Sequence, residues 1–224
     1  MKNQVTGIKK GTQSGRWLAA IVFSSISTLA LPLFAQASAI EQFKSFAAGS
    51  KSAKGEFVQQ QVKLVDGKPK VTKTSTGNFV FARPGKFIWT YLKPYEQTLQ
   101  TDGEQLYIYD KDLNQVTIKK IGNALSASPA AILFGGGEIE KSFTLKEIGN
   151  KQGLDWLEAV PKEKDPNFEH IGIGMKDGVP VALELRDGFG QVSLLTLKNI
   201  EKNPAIKTDQ FKFIVPAGAD VSRL

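Results

Sequence analysis

The sequence predicts a mainly β fold: an incomplete, half-open antiparallel β-barrel of about eleven strands with a helical lid. Three observations favour this class. Apolar and polar residues alternate with a period of two through most of the second half of the chain and much of the first. Asp-Gly pairs, which are typical of tight hairpin turns, recur at 66–67, 102–103, 177–178 and 187–188. One short segment of helical character precedes this pattern and a second one interrupts it, and each needs an apolar surface to pack on.

The strands follow one another with short turns between them, which predicts an antiparallel meander. They are predicted near 55–64, 72–82, 86–92, 97–101, 105–110, 115–121, 143–149, 154–161, 169–176, 180–186, 191–200 and 210–215. A sheet of this size twists and curls, so it acquires a concave face that two helices can cover. The alternative is a two-sheet sandwich with the helices at one edge.

The two helical segments are recognised by their spacing and their ends. From about 39 to 51, apolar residues recur at spacings of three and four, with polar residues between them. At 128–134, a serine precedes a proline and a small apolar run, which is typical of a helix start, and the glycines at 135–137 end it. This second helix, of about two turns, is the predicted lid segment.

The N-terminus has the composition of a secretory signal peptide. Residues 1–16 carry four basic and no acidic side chains, residues 17–34 carry no charge, and AQASA follows with small residues at the positions where cleavage occurs. We therefore expect a signal peptide at 1–37, cleaved near 37–39, and a single domain at 38–224. The alternative is an uncleaved membrane anchor, because the uncharged run is just long enough to span a bilayer.

Composition argues against several classes of function. The chain has no cysteine and one histidine, and no catalytic motif surrounds that histidine, so we expect neither an enzyme nor a metal or cofactor site. Loss of the four N-terminal basic residues would lower the net charge from +7 to +3, which does not suit a nucleic-acid-binding protein. What remains is abundant apolar strand surface, which predicts a hydrophobic ligand. No heptad pattern or long unpaired apolar strand is evident, so we expect a monomer.

Five stretches, in this order, resemble the outer-membrane lipoprotein carrier family (LolA). They are GNFVFARPGKFIW at 77–89, Pro94, TDGEQLYIYD at 101–110, SPAAIL at 128–133 and DQFKFIVPAG at 209–218. The resemblance covers nearly all of the chain after the signal peptide, and the Arg-Pro block with its aromatic residues is its most specific part. It implies an incomplete antiparallel barrel closed by helices.

The resemblance also implies a function. Residues 38–224 would be a lipoprotein-carrier domain in the periplasm, a chaperone that binds the acyl chains of outer-membrane lipoproteins in an apolar cavity. An inner-membrane ABC transporter would load it, and an outer-membrane acceptor would receive the lipoprotein, a step in outer-membrane biogenesis. Two alternatives stay open: a carrier or sensor of free lipids or glycolipids on the same fold, and an interaction domain with a filled core.

The expected site lies on the concave face. Apolar side chains expected to line the acyl cavity are Phe57, Phe79, Phe81, Phe87, Trp89, Ile132 and Leu133. Arg83 shares a strand face with two of these phenylalanines, and the resemblance favours a latch that donates hydrogen bonds to backbone carbonyls near 129–134. The alternative is an edge arginine that extends into water before Pro84. The face of Phe87 and Trp89 is not fixed by the pattern, and core packing or contact with a partner are alternatives for them.

Overall fold

A computed structural model of the protein describes residues 37–120, 133, 139–162 and 169–224. These residues contain twelve strands and belong to one compact unit, Gln36–Leu224. The strands are β1 (Ser52–Val65), β2 (Lys68–Ala82), β3 (Lys86–Lys93), β4 (Gln97–Thr101), β5 (Gln105–Asp110), β6 (Gln115–Lys120), β7 (Phe143–Lys151), β8 (Leu154–Pro161), β9 (His170–Lys176), β10 (Val179–Arg186), β11 (Val192–Lys202) and β12 (Asp220–Arg223).

All twelve strands belong to one open sheet. Its order is β12-β6-β5-β4-β3-β2-β1-β11-β10-β9-β8-β7, so β12 and β7 are its two ends. Every neighbouring pair is antiparallel except β12 and β6, which are parallel. The prediction of a mainly β, incomplete barrel is confirmed, and the sandwich alternative is wrong because there is a single sheet.

One predicted strand, 210–215, is wrong. The chain forms a 3₁₀ turn at Thr208–Phe211 and then an irregular segment, in which the Phe213 ring stacks on Tyr107 with the ring centroids 4.6 Å apart. The segment therefore lies across the face of β5 that points away from the core. It cannot join the sheet there, because β3 to β6 already pair with one another. The last strand comes later, as β12.

The core lies on one face of the sheet, which we call the inner face. In the order of the sheet, almost every strand from β5 through β1 to β8 contributes buried side chains to it. They include Phe57, Phe79, Leu157, Ile173 and Leu195. Residues two apart along a strand share this face, as the period-two pattern predicts.

Helix α1 (Ala39–Gly49) packs across β7 to β10 on the inner face. Ser38 caps its N-terminus and forms a reciprocal pair of hydrogen bonds with Glu41. Phe43 and Phe46 are each 2% exposed and lie in the core. The first predicted helix is thus present.

The structure describes little of the predicted lid segment and none of residues 1–36. The lid segment lies outside the described residues apart from Leu133, which is helical and 1% exposed. A further short helix, α2 (Ile139–Ser142), was not predicted. The signal-peptide segment also lies outside the described residues, so the division of the chain at 37–39 stays a prediction. Among the described helices, none combines the length and the apolar character needed to cross a membrane.

The β1–β2 hairpin extends beyond its neighbours. Pairing of β1 with β11 stops at Val62, and pairing of β2 with β3 stops at Thr76, while β1 and β2 pair with each other up to the turn. Asp66 and Gly67 form this turn with φ values of 52° and 73°. The Asp-Gly pair suits it, because both turn positions need positive φ.

Candidate functional site

Strands β1, β2 and β3 bring five predicted site residues together on the inner face. Trp89 lies opposite Phe79 and Phe87 lies opposite Phe81 in the β2–β3 register. The indole of Trp89 stacks on Phe57 at 4.1 Å and lies 5.7 Å from the Phe79 ring, measured between centroids. All five side chains are at most 3% exposed. Trp89 and Phe87 therefore point inward, and the five rings pack as part of the core.

Two glycines make room for these rings. The register places Gly77 opposite Phe57 and Gly55 opposite Phe79 across β1 and β2. A Cβ on Gly77 would lie 2.5 Å from the Phe57 Cζ atom, and a Cβ on Gly55 would lie 2.7 Å from the Phe79 Cζ atom. Each ring thus occupies the space that a Cβ of the opposite glycine would need. Backbone carbonyls of Thr90 and Lys198 also crowd the two positions, so glycines are needed inside two long strands.

Arg83 follows β2 directly and reaches two backbone carbonyls. Its Nε donates to the carbonyl of Ser50 at 3.0 Å, and its Nη2 donates to the carbonyl of Leu133 at 3.3 Å. Its guanidinium carbon also lies 5.4 Å from the centroid of the Phe81 ring. The contact with Leu133 falls within the segment expected from the sequence, while the role of Arg83 as a latch stays a prediction.

The contact with Ser50 was not predicted. Ser50 is the C-cap residue of α1, and carbonyls at a helix C-terminus attract cationic donors. One guanidinium therefore joins the end of α1 to residue 133. Burial lowers the pKa of Arg83 from its ordinary value, but a guanidinium stays charged in proteins. No sequence signal pairs Arg83 with Ser50, because the contact depends on where the helix ends.

The remaining predicted site residues divide between the core and the undescribed part of the chain. Leu133 belongs to the same buried cluster as the aromatic rings. Ile132 lies outside the described residues, so its place in the site stays a prediction.

Trp89 also carries a polar group inside this cluster. Its indole Nε1 is buried and lies near the Tyr91 hydroxyl, whose pKa it acts to lower, but it has no hydrogen bond of normal geometry among the described residues. A buried donor without a partner costs about 1–3 kcal/mol. An acceptor supplied by a ligand would remove that cost.

A polar cleft of about 520 Å³ adjoins the aromatic cluster. Its lining residues are Gln59, Gln61, Lys73, Ser75, Tyr91, Pro94, Tyr95, Gln97, Asp110, Asp112 and Leu113. Tyr91 stands at the boundary: its ring meets Phe57 edge-on at 5.2 Å, and its hydroxyl donates to Gln59 Oε1 at 2.9 Å. Burial raises the pKa of Tyr91, and the nearby Trp89 indole N–H offsets part of this rise. Sequence analysis anticipated an apolar cavity, which stays a prediction, and did not predict this polar cleft beside the aromatic cluster.

Within the described residues, no group of three or more His, Asp or Glu side chains is placed to hold a metal ion.

Comparison with known proteins shows which family the chain is similar to. The family model of the outer membrane lipoprotein carrier protein LolA matches residues 48–214. The outer-membrane lipoprotein carrier protein of Cupriavidus pinatubonensis is 57% identical over 189 residues, covering 84% of this chain and 89% of the relative. The protein of the same name from Cupriavidus necator is 54% identical over 200 residues, covering 89% of this chain and 95% of the relative.

A solved structure shares the fold. The crystal structure of an uncharacterized conserved protein from Thermus thermophilus superposes with a TM-score of 0.55 at 13% identity, covering 83% of this chain and 99% of that one. At this identity the likeness bears on the fold alone. The match to the family model and the high identity to the two Cupriavidus proteins show that the chain belongs to the outer-membrane lipoprotein carrier family, LolA.

Proposed function

We propose that this protein is a periplasmic carrier that binds the acyl chains of lipoproteins on its inner face. It takes them from an inner-membrane ABC transporter and delivers them to an outer-membrane acceptor. Similarity to the lipoprotein carriers of Cupriavidus, with Arg83 holding Leu133 beside an aromatic cluster, supports this proposal. The basic, apolar and small-residue pattern of 1–37 supports export through a cleaved signal peptide.

The physical task is to shield acyl chains from water. Each buried CH₂ contributes about 0.8 kcal/mol, so complete burial of the acyl chains of one lipoprotein would contribute a free energy on the order of tens of kcal/mol. The carrier must return most of this on delivery, so its affinity has to be limited. Packed rings that must separate to admit the chains provide such a limit, because the aromatic contacts are lost when the ligand enters.

The contacts suggest how loading proceeds. Acyl chains enter among Phe57, Phe79 and Trp89, and the hydrogen bond from Arg83 to Leu133 breaks as the lid segment moves away. The indole N–H of Trp89 then donates to an ester or amide carbonyl of the acylated cysteine. The free energy lost at Arg83 on loading is regained on release, and this makes transfer to the acceptor favourable.

The direct test is capture of the natural ligand. Protein purified from the periplasm of expressing cells should carry triacylated peptides that mass spectrometry detects after proteolysis, and N-terminal sequencing should place cleavage near 37–39. Co-purification of free lipids alone would favour a free-lipid or glycolipid carrier. A protein without any bound acyl compound, and unable to release lipoproteins from inner-membrane vesicles, would contradict the proposal.

The site assignment has its own test. A photoactivatable acyl probe should label the side chains of Phe57, Phe79, Phe81 or Ile132, with each cross-link assigned to a single residue by fragmentation in the mass spectrometer. Ile88 is the matched control, because it lies between Phe87 and Trp89 on β3 and so points to the opposite face. Labelling confined to residues of the opposite face, such as Ile88, would reject the inner-face site while leaving the carrier function open.

A further inference from the structure

The polar cleft lies where β2 has a free edge. Within the described residues, β3 pairs with β2 only from Thr76 onward, so β2 residues 68–75 have β1 as their one neighbouring strand. An exposed strand edge of this length offers backbone N–H and C=O groups to any extended polypeptide.

The register shows which backbone groups face that edge. The Arg83 N–H donates to the Lys51 carbonyl at 2.8 Å, so residues an even number of positions before Arg83 turn their backbone groups toward β1. Pairing of β1 and β2 continues without a shift from Ala82 down to Lys73. Thr74, an odd number of positions away, therefore turns its N–H and C=O toward the free edge.

The side chains beside this edge suit a peptide better than a hydrocarbon. Gln59, Gln61 and Gln97 bring three amide groups to the cleft, and an amide both donates and accepts hydrogen bonds. The Tyr91 hydroxyl already satisfies Gln59 Oε1. Acyl chains placed here would bury these groups without partners, which costs free energy.

The cleft is also continuous with the aromatic cluster through Tyr91, whose ring contacts Phe57. A lipoprotein whose acyl chains occupy the aromatic cluster has a polypeptide that must leave the inner face at some point. An exit lined by amides, next to an unpaired strand, satisfies the backbone of that polypeptide.

We propose that this cleft, together with the free edge of β2 at Thr74, binds the extended polypeptide that follows the acylated cysteine of a carried lipoprotein. The inference rests on the proposed carrier function and adds a second subsite to it. The acyl chains supply most of the affinity, and the cleft binds the first residues of the cargo in an extended conformation.

The test first compares two probes on the exported protein, with its whole carrier domain present. One is a triacylated cysteine alone, and the other carries a flexible polar tail of about ten residues, which at about 3.3 Å per residue can run past the free edge. The tailed probe should bind the wild type about tenfold more tightly, a factor equivalent to about 1.4 kcal/mol. A third probe with N-methylated tail amides should lose this advantage, because methylation removes the backbone donors.

Two variants locate the effect on the protein. Replacing both cleft glutamines, Gln61→Ala with Gln97→Ala, should abolish the advantage of the tail and leave the affinity for the triacylated cysteine unchanged. Thr74→Pro should do the same by removing a backbone donor. Gln105→Ala, outside the cleft, is the matched control and should keep the full advantage.

The possible results separate the two proposals. A tail that adds no affinity to the wild type would overturn the peptide subsite and leave the carrier function intact. Equal weakening of both probes by the glutamine variants would show that acyl chains occupy the cleft, which also overturns it. Failure of both probes to bind the wild type would refute the carrier function and the subsite with it. The N-methylated probe gives an answer even if Thr74→Pro does not fold.

Discussion

Replacing Arg83 by leucine should separate loading of the carrier from delivery. Arg83→Leu removes the hydrogen bonds to Ser50 and Leu133 and adds apolar surface beside Phe81. Under the proposed function, both changes disfavour the closed arrangement and favour the loaded one. The variant should fold, accept lipoprotein from inner-membrane vesicles and retain it.

The size of the effect on loading follows from the hydrogen bond that must break, the one from Arg83 to Leu133. Hydrogen bonds from a charged donor contribute about 1.5–3 kcal/mol each. The bond to Leu133 is long, at 3.3 Å, and the side chain is only partly buried, so both bonds lie at or below the low end. The bond to Ser50 can persist in the loaded carrier, so only the bond to Leu133 enters the equilibrium. We take about 1 kcal/mol for it, which is about fivefold in the equilibrium between loaded and unloaded carrier.

The assay measures two fractions for each variant: carrier loaded from inner-membrane vesicles, and lipoprotein then passed to an outer-membrane acceptor. Arg83→Lys is the matched control, because it keeps the charge but not the planar fork that spans two carbonyls, and its transfer should be intermediate. Weaker loading of Arg83→Leu with normal folding would show that Arg83 contacts the ligand. Wild-type loading and transfer would leave the latch without support.

Three further predictions concern stability and assembly. Gly77→Ala should lower the free energy of unfolding by at least the roughly 1–3 kcal/mol typical of overpacking, because its Cβ would overlap the backbone carbonyl oxygen of Thr90 and also lie 2.5 Å from the Phe57 ring. Gly49→Ala, with open space around it, should be nearly neutral in urea denaturation. Gel filtration should give a monomer, and a stable dimer joined through the inner faces would contradict the lid. Burial alone would raise the pKa of Asp102, but hydrogen bonds from two backbone N–H groups and the Tyr107 hydroxyl lower it. The ionised Asp102 therefore contributes to the free energy of unfolding above about pH 4, and this contribution is lost as the pH falls through the lowered pKa. Asp102→Asn should reduce the loss of stability between about pH 5 and pH 2. An unchanged dependence of stability on acid pH would contradict this.

Sequence pattern predicted the strands well, because alternation and turns are local properties. The Asp-Gly pair at 66–67 indicates its hairpin through the positive φ that the turn requires. The segment 210–215 alternates like a strand but lies on a face where every neighbouring edge is already paired. Alternation reports that one side of a segment is buried, and only the topology decides whether a partner strand is available.

The site was predictable in part. The period of two placed Phe79 and Phe81 on one face with Arg83, but Phe87 and Trp89 follow a turn, so their face depended on the register between β2 and β3. The contact of Arg83 with Ser50 and the polar cleft depend on side chains far apart in sequence. Neither leaves a local pattern, since each is created only when the strands and α1 are assembled.

The two ends of the Arg83 bridge are not held equally. Helix α1 is fixed near its N-terminus, where Glu147 accepts hydrogen bonds from two of its first backbone N–H groups and the buried side chain of Gln42 bonds to Asp155 and Gly178. None of these contacts involves Arg83. Loss of the guanidinium bonds would leave α1 on the sheet, so under the proposed function the movable end of the bridge is Leu133. Arg83 can then keep its bond to Ser50 while it releases the lid segment, and among the described contacts the cost of loading falls on the bond to Leu133 and on the aromatic packing beside it. A carrier that must give its cargo up needs such a small, local cost, because a larger one would prevent loading and a smaller one would prevent release.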